Sequence, residues 1–532
     1  MAAIIHQKDK RSGITYAYES ISYWDKEKKQ SRAKRKLIGR VTDSGEIIPT
    51  DGRGHRRGKA GLVAEEEMLK VLPSRSFYGA TYLLDAIGEK LGLTQDLKYC
   101  FGKRYTQILS IVYYLILESD APLFRFEKWG MLHRHPHNRD ISSQRSSELF
   151  ASITEADKNE FLKRWGKHKA DREFWAYDTT SISSYSEGLR QIQYGYNKEN
   201  DLLAQLNLAI VYGESSNLPF YYRKLAGNIP DTKTLTHLLA DLDQLGFPKV
   251  KLVMDRGFYS KENLSALFES HRKFLVSSKM SLSFVQKELE RIYDTFRSYE
   301  HYMPEYELYT RTVQSIWEYT LYRPYKKESI TKKRRIYLHY YFNIEKAAED
   351  EKAFDKRLIE RREELIEDKP IKAHKAFYEK YFIVTRTPKR GISVEIKTDA
   401  VAKAKKYFGF FVLLSNETMD AQKALEIYRN KDVVEKAFGN LKERLNMRRL
   451  LVSSEQSLDG KLFVAFIALI YLSYIKKQMQ VKKLYKKYTL LSLLDKLDVI
   501  ECFEYPGKRL RVGEVLEKQK EIYRALGVEA PS

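Results

Sequence analysis

The sequence predicts an α/β protein whose centre is a mixed β-sheet. Between residues 174 and 277, apolar patterns follow the order strand, strand, strand, helix, strand, helix, strand. Three consecutive strands that are extended by strand–helix–strand units form a mixed sheet. The first and the fourth predicted strand each end at an aspartate, Asp178 and Asp255, and a later helix carries Glu435. These three carboxylates are the candidate functional groups of the protein.

The composition indicates a polyanionic partner. Lys and Arg number 94 against 71 acidic residues in a chain of 532 residues, which gives a formal net charge of +23. Nucleic acid is the commonest partner of such a surplus, and an anionic membrane surface is the alternative. The 38 Tyr and 25 Phe residues favour nucleic acid, because aromatic rings between cations can stack on bases.

A chain of 532 residues is too long for one simple core and predicts two to four domains. Cysteine usage and the apolar runs predict a cytoplasmic protein. Cys100 and Cys502 form neither a zinc-ligand spacing nor a disulfide framework, which fits a reducing compartment. The first residues contain no apolar stretch of signal-peptide length. The longest apolar run, 462–472, is shorter than the ~20 residues that span a bilayer, so it predicts a buried helix and no membrane association.

Residues 1–60 are predicted to be a basic β element. Residues 14–24 alternate at period two, and the stretches 26–40 and 53–59 are rich in Lys and Arg. Two interpretations stay open at this point, a β element that contacts DNA and a solvated basic face.

Residues 61–170 are predicted to be a helical DNA-binding region. Apolar residues recur at helical spacing over 78–91 and 105–117. The stretch 133–137 reads HRHPH, but it contains a proline and has no nearby carboxylate or cysteine partner. It therefore predicts a loop rather than a metal site.

The predicted sheet occupies residues 171–278 and 406–475. Its strands are 174–177, 202–212, 218–225, 250–254 and 273–277, with helices at 232–245 and 261–270. This order is that of the ribonuclease H-like fold, in which the first strand and the strand after the first helix are parallel neighbours. Asp178 and Asp255 should therefore lie at the same edge of the sheet.

Residues 279–405 break this order and are predicted to be a largely β insertion. The predicted pieces are strands at 318–322 and 335–342, a charged helix at 345–368 and a hairpin at 381–397. The chain then returns to the sheet through a strand at 408–414, and residues 476–532 are predicted to be a helical C-terminal region.

Residues 428–442 predict one helix, because YRNKDVVEKAFGNLK contains no proline and a single glycine. Intervals of three, four and seven residues return to the same face of a helix. One face therefore carries an aromatic ring, two cations and a carboxylate, from Tyr428, Lys431, Glu435 and Lys442. For an arbitrary helix, the ordinary interpretation of such a face is a solvated set of salt bridges.

Asp178, Asp255 and Glu435 together supply the hard oxygen ligands that Mg²⁺ and Mn²⁺ prefer. Two such ions about 4 Å apart can activate an attacking hydroxyl and stabilise the leaving oxygen in phosphodiester chemistry. Each acidic residue alone could be a turn or cap residue. Two of these residues at the ends of neighbouring strands and a third on a helix are less plausible as a chance combination of turn and cap residues.

Three stretches resemble a known family: YDTTSIS around Asp178, MDRGFYS around Asp255 and YRNKDVVEKAFGNLK around Glu435. They look like the DDE transposases of bacterial insertion sequences, in the insertion sequence four superfamily. The resemblance covers residues 170–475 and implies a ribonuclease H-like core with strand cleavage and strand transfer by a cut-and-paste route. It also implies that the three carboxylates bind two Mg²⁺ ions, for which Mn²⁺ can substitute.

The helix departs from the family pattern at one position. The superfamily carries Tyr, two residues, Arg, three residues, Glu, six residues, Lys, and Lys431 stands here at the arginine position. Lysine keeps the charge but loses bidentate phosphate recognition. The resemblance implies that Tyr428, Lys431 and Lys442 hold the phosphates of the transposon end.

Two further residues are implied to contact DNA. Trp317 is the only tryptophan of the insertion, and in the superfamily such a residue can stack on a flipped base. The alternative is a core aromatic. Arg256 follows Asp255 directly and either contacts a phosphate or forms a structural ion pair.

The resemblance implies that the partner is double-stranded DNA, as terminal inverted repeats and target DNA, and that a homodimer acts in the synaptic complex. The predicted function is that of a transposase, an enzyme of phosphodiester hydrolysis and transesterification. A catalytically inactive DNA-binding descendant and a hydrolytic ribonuclease H-like nuclease stay open. The presence of all three carboxylates favours an enzyme.

Overall fold

The structure is a computed structural model. The chain divides into two compact units, and each is described by itself. The smaller unit contains Met1–Ser76 and Cys502–Gly513, and the larger unit contains Phe77–Glu501 and Glu514–Ser532. The predicted basic stretch 53–59 lies outside the described residues. Those residues are 2–10, 13–26, 28–42, 44–49, 74–167, 173–186, 188–198, 202–247, 249–323, 328–387, 391–445, 447, 449–450, 452, 454–505 and 507–532.

The strands, in chain order, are β1 (Ala2–Lys8), β2 (Thr15–Asp25), β3 (Gln30–Val41), β4 (Ile47–Pro49), β5 (Ser74–Phe77), β6 (Phe174–Ser184), β7 (Gln205–Gly213), β8 (Pro219–Ala226), β9 (Lys251–Met254), β10 (Lys273–Ser278), β11 (Tyr302–Met303), β12 (Leu308–Arg323), β13 (Glu328–Phe342), β14 (Phe382–Thr387), β15 (Gly391–Ile396), β16 (Phe410–Ser415), β17 (Arg449–Leu450), β18 (Glu501–Glu504) and β19 (Arg511–Val512).

The α-helices are α1 (Gly79–Leu91), α2 (Leu93–Phe101), α3 (Tyr105–Leu117), α4 (Phe126–Leu132), α5 (Ser143–Ser152), α6 (Glu155–Lys167), α7 (Asp231–Gln244), α8 (Lys261–Glu269), α9 (Ser283–Glu290), α10 (Ile344–Ile366), α11 (Lys375–Tyr381), α12 (Thr398–Lys405), α13 (Ala421–Asn430), α14 (Asp432–Gly439), α15 (Glu455–Val481), α16 (Leu490–Asp498) and α17 (Glu517–Ala525). A π-helix, Asn440–Arg444, follows α14 directly.

The larger unit is built on one mixed sheet, which confirms the α/β class. Its strand order is β11-β12-β13-β16-β10-β9-β6-β7-β8, and β17 pairs with β6. The strands β6, β9 and β10 are parallel neighbours, while the flanking pairs are antiparallel. β9 is apolar at successive positions because both of its faces are buried, as the sequence predicts for 250–254.

The region predicted as an insertion takes part in the same sheet. The long hairpin β12–β13 pairs through β13 with β16, so the sheet continues past residue 279. Residues beyond β13 then form a separate small core around α10, α11 and the hairpin β14–β15, with Phe354, Leu358, Tyr378, Tyr381 and Val394 buried in it. Helices and strands therefore contribute about equally to this segment, for which a largely β insertion was predicted. The proposed domain boundaries stay predictions.

Helix α15 forms the apolar centre of the larger unit. It is long and apolar enough to cross a membrane, but 89% of its most apolar window is buried inside the protein. It packs on α5, α3 and β8, and Ser454 caps its N-terminus by accepting a hydrogen bond from the Ser457 amide at 3.1 Å. The predicted burial of residues 462–472 is confirmed.

The HRHPH stretch is a loop after α4 whose histidines have structural partners. His133 bonds the carbonyl of Trp129 and the carboxylate of Asp498, each at 2.9 Å. His135 Nδ1 lies 2.8 Å from the Ser110 hydroxyl, and its ring packs against Phe126 and Trp129. Burial lowers the pKa of His135 to about 4, and the nearby charges of the other two histidines act in the same direction.

We expect the buried His135 to make the larger unit acid-sensitive. Its folded pKa lies below the unfolded value of roughly 6.5, so its contribution is full above that pH and is lost as the pH falls toward 4. The loss should reach about 3 kcal/mol at most. Urea unfolding at several pH values would measure it, with His135→Gln showing the shallower loss and the exposed His237→Gln matching wild type. Equal pH slopes in all three proteins would contradict this role.

Candidate active site

Two parallel strands place Asp178 and Asp255 side by side. The last pair between β6 and β9 is Tyr177 with Met254, and the two aspartates are the next residues on their chains. The prediction that the first strand ends at Asp178 is wrong, because β6 continues to Ser184 along β7. The parallel pairing of β6 with β9 ends at Tyr177, directly before Asp178. The carboxylate therefore lies where these two strands are no longer paired.

One pocket brings the predicted carboxylates together. It has a volume of about 330 Å³. Its walls contain the ends of the two strands, the loop before β7, the start of α7 and the helix α14, through Asp178, Thr179, Thr180, Lys198, Asp231, Asp255, Gly257, Phe258, Glu435 and Phe438. The three carboxylates differ in exposure, since their side chains are 14%, 46% and 62% accessible for Asp178, Asp255 and Glu435.

The helix that carries Glu435 is broken rather than continuous. Asp420 caps α13 through the Lys423 amide at 2.7 Å, and α13 ends at Asn430. A tight turn follows, in which the Lys431 amide bonds the Tyr428 carbonyl at 3.3 Å, three residues back. The prediction of a single helix over 428–442 is therefore wrong. Lys431 lies at this turn and is buried, with only 3% of the residue accessible.

Lys431 and Tyr428 both contact Asp255. The Tyr428 hydroxyl donates to Asp255 Oδ1 at 2.5 Å, and the Lys431 ammonium lies 3.8 Å from the same oxygen and 3.7 Å from Glu435 Oε1. Burial opposes ionisation of Asp255, but these two contacts, together with the Arg256 amide and the Arg256 charge, hold its pKa below the usual value. Burial and the neighbouring carboxylate raise the pKa of Tyr428, so its hydroxyl stays a donor.

Lys198 forms a second cation–carboxylate group on the other side of the pocket. Its ammonium lies 3.1 Å from Asp231 Oδ2 and 3.8 Å from Asp178 Oδ1, and it donates to the Thr179 carbonyl at 2.6 Å. The Thr179 hydroxyl donates in turn to Asp231. Burial raises the pKa of Asp178 above its usual value, and the ammonium of Lys198 acts against this effect.

The donor chemistry of the pocket fits a divalent metal ion. Asp178, Asp255, Glu435 and Asp231 offer carboxylate oxygens to one space, and hard oxygen ligands suit Mg²⁺. Across the described part of the chain, no three His, Cys, Asp or Glu side chains converge closely enough to hold an ion. Instead, Lys431 lies between Asp255 and Glu435, and Lys198 lies between Asp178 and Asp231.

The other predicted DNA-binding residues lie in different places. Lys442 lies in the π-helix, whose wider turn ends the regular spacing that put it on one face with Glu435. Arg256 is exposed in the turn after Asp255. Trp317 is buried in β12, with its ring 5.3 Å from that of Phe284 in an edge-on contact. Its ring is therefore not available for base stacking in this structure.

Sequence reasoning missed Lys198 and Asp231. Lys198 belongs to the connection between β6 and β7, where no apolar period predicts a position in space. Asp231 follows a proline at the first position of α7, and acidic residues are common there for reasons of helix stability alone. The only sequence signal for Asp231 was its position next to the predicted helix at 232–245.

Comparison with known proteins gives an independent finding. A family model described as "Transposase DDE domain" matches residues 169–471. A search of curated proteins found no match. Among solved structures, the chain is similar to the piggyBac transposase in a cryo-EM structure of its synaptic complex with hairpin DNA, with 10% identity, a TM-score of 0.35 and coverage of 76% of this chain and 70% of that chain. We draw no conclusion from a similarity at this level.

The family match includes Asp178, Asp255 and Glu435, the β12–β13 hairpin and most of α15. It covers more than half of the 532 residues. The chain therefore belongs to the family of proteins with a transposase DDE domain.

Proposed function

We propose that this protein is the transposase of a bacterial insertion sequence, in the insertion sequence four superfamily, and that it moves its element by cut-and-paste transposition. The family match supports transposition as the function. The observation that carries the proposal is the register of β6 and β9, which puts Asp178 beside Asp255 on one pocket with Glu435. A ribonuclease H-like core is part of the proposal, and the sheet order, in which β6, β9 and β10 are parallel neighbours, supports it.

Asp178, Asp255 and Glu435 would hold two Mg²⁺ ions, for which Mn²⁺ can substitute, and Asp231 is a fourth carboxylate on the same pocket. When bound, such ions polarise the scissile phosphate and activate the attacking hydroxyl. The chain itself orients the carboxylates. Tyr428 donates to Asp255 and fixes its rotamer, and the ionised state of Asp255 is favoured by that bond and by Lys431.

Three cations are proposed to bind DNA phosphates. Lys431 is next to the carboxylates, so it serves the scissile region, and as a lysine it acts as a point charge rather than a bidentate clamp. Lys442 and the exposed Arg256 are proposed to contact the flanking backbone. Trp317 has no part in this proposal because its ring packs on Phe284.

The proposed partners are the terminal inverted repeats and target DNA, with a homodimer in the synaptic complex and a cytoplasmic location. The test is incubation of the protein with duplexes of the element's own terminal repeats and Mg²⁺, followed by gel analysis. Nicks, double-strand breaks and joined products are expected. Cleavage without joining would instead indicate a hydrolytic nuclease, and binding without cleavage would indicate an inactive DNA-binding protein.

We expect Lys198→Met to lower the cleavage rate by roughly 10- to 100-fold without unfolding the protein. The substitution removes the ammonium group that lies between Asp178 and Asp231, so the two carboxylates lose their orientation and repel each other. Single-turnover cleavage measures the effect, and Lys198→Arg should recover part of it. Lys233→Met, at an exposed lysine of α7, is the matched control. A wild-type rate in Lys198→Met would remove this positioning role.

A further inference from the structure

The end of the β2–β3 hairpin forms a two-stranded ribbon in the smaller unit. Among the described residues, β1 pairs with β2 as far as Ile21, and residues 22–25 have β3 as their only neighbouring strand. Their partners are residues 30–33 of β3, from Ser22 with Ala33 to Asp25 with Gln30. We call residues 21–36 the ribbon. An isolated two-stranded ribbon is marginally stable in water, so this segment benefits from a partner.

The ribbon is strongly basic. Residues 25–36 contain seven Lys or Arg and two acidic residues in sequence, and the cations are Lys26, Lys28, Lys29, Arg32, Lys34, Arg35 and Lys36. In β3, every residue from Gln30 to Lys36 is exposed. Among the described residues, Arg32 pairs with Asp25 at 3.3 Å, and Arg35 donates to the Gln7 side chain at the same distance. The charge therefore faces solvent over Gln30–Lys36.

Large apolar side chains lie between these cations and argue against a merely solvated face. Ile21, Tyr23 and Trp24 are 50%, 48% and 64% exposed. Single exposed apolar residues are ordinary on protein surfaces, but Ile21 and Tyr23 lie together on one face of the ribbon, which indicates a binding surface. Because the neighbouring side chains are cationic, the complementary partner is a polyanion with apolar faces. Nucleic acid has both properties.

The geometry of the ribbon selects double-stranded DNA. Two paired strands lie about 4.8 Å apart, and the DNA major groove admits a two-stranded β-ribbon. Arg32 is opposite Tyr23 and Lys34 is opposite Ile21, so cations and apolar side chains share one face. Arg35 alternates to the other face. Cations on both faces can reach the phosphates on either side of a groove.

We propose that the ribbon binds double-stranded DNA through the major groove, with its cations on the phosphates and the face that carries Ile21 and Tyr23 against the bases. This inference rests on the proposed function in that it assigns part of the DNA contact of the transposase to the smaller unit. It does not concern the catalytic pocket. For residues 26–40 the sequence left two interpretations open, a DNA-contacting β element and a solvated basic face. The proposal favours the DNA-contacting element.

The first test neutralises four cations of the ribbon in the full-length protein, as Arg32→Gln, Lys34→Gln, Arg35→Gln and Lys36→Gln together. Binding to a terminal-repeat duplex should weaken at least tenfold. The slope of log affinity against log salt should fall by about 3 to 4, because each lost phosphate contact removes about 0.9. The matched control neutralises four exposed cations of α10, Lys346, Lys352, Lys356 and Arg357, with the same change in net charge. Equal losses in both variants would show a general charge effect and overturn the proposal.

The second test follows Tyr23 directly. Tyr23→Ala should weaken binding to duplex DNA at least fivefold, and Trp24→Ala, on the opposite face of the ribbon, is the matched control with a smaller loss. Tighter binding to single-stranded DNA or RNA of the same length would overturn the assignment to double-stranded DNA. Wild-type affinity in Tyr23→Ala would place this face of the ribbon away from the DNA.

Cleavage separates this inference from the proposed function. At protein concentrations above its weakened Kd, the four-cation ribbon variant should cleave at the wild-type rate, because it keeps the catalytic pocket. If the wild-type protein fails to cleave terminal-repeat DNA, the proposed function is wrong, whatever the ribbon binds. If wild type cleaves and the ribbon variant binds normally, only the ribbon assignment is lost.

Discussion

Asp178→Asn, Asp255→Asn and Glu435→Gln should each reduce Mg²⁺-dependent cleavage of terminal-repeat DNA by at least about 10³-fold. Each change keeps the shape of the side chain and removes one negative charge from the same pocket. DNA affinity should be retained, since the substitutions remove no cation. Gel analysis of single-turnover reactions and a binding titration of the same preparations measure the two effects separately.

The control for these three variants is Glu426→Gln, on α13 outside the pocket with its side chain 34% accessible, which should cleave at the wild-type rate. Full Mg²⁺-dependent activity in any one of the three pocket variants would remove that residue from the site. Asp178→Asn should be the best folded of the three, because burial already disfavours the charged form of this carboxyl and raises its pKa. A folded but inactive Asp178→Asn protein separates catalysis from stability.

Lys431→Met should lower the cleavage rate roughly 10²-fold, in the range found when a positioned electrostatic donor is removed from an active site. The buried ammonium is shared by Asp255 and Glu435, at 3.8 and 3.7 Å, so its loss leaves two carboxylates without a common cation. The folded pKa of Asp255 should rise toward its usual value, because Lys431 is one of the groups that lower it. Single-turnover rates measure the first effect.

Two further variants sharpen the Lys431 experiment. Lys436→Met, at an exposed position on α14, makes the same chemical change and should leave the rate unchanged. Lys431→Arg restores the residue of the insertion sequence four superfamily and should keep substantial activity, provided that the buried site admits the larger guanidinium group. A wild-type rate in Lys431→Met would show that the position contributes only to folding.

Local patterns in the sequence predicted the elements that carry the site. The apolar run 250–254 became β9 because both of its faces are buried, and the predicted helix at 261–270 formed as α8, which Ser260 caps with the Asn263 amide 3.0 Å from its hydroxyl. The hairpin within 381–397 formed as β14–β15. Such features depend on neighbours within a few residues, and the period of the apolar side chains records them.

The juxtaposition of Asp178 and Asp255 was also within reach of the sequence, although 77 positions separate them. The order of elements allowed few topologies, and in the expected one these strands are parallel neighbours. The observed register, Tyr177 with Met254, fulfils that expectation. The sequence could not show that β6 continues past Asp178, because Thr179, Thr180 and Ser181 resemble turn residues until β7 pairs with them.

Only the tertiary structure decided which further groups enter the pocket. Lys198 arrives from a connection without apolar period, and Asp231 from the start of α7. The burial of Trp317 against Phe284 likewise depends on how β12 packs on α9. The sequence by itself determined the three carboxylates, the elements that hold them and the helical spacing that puts Lys431 beside Glu435, because local periodicity encodes strands and helices. The position of Lys198 between Asp178 and Asp231 and the contact of Lys431 with Asp255 depend on segments that are distant in the chain, and local periodicity carries no information about such contacts.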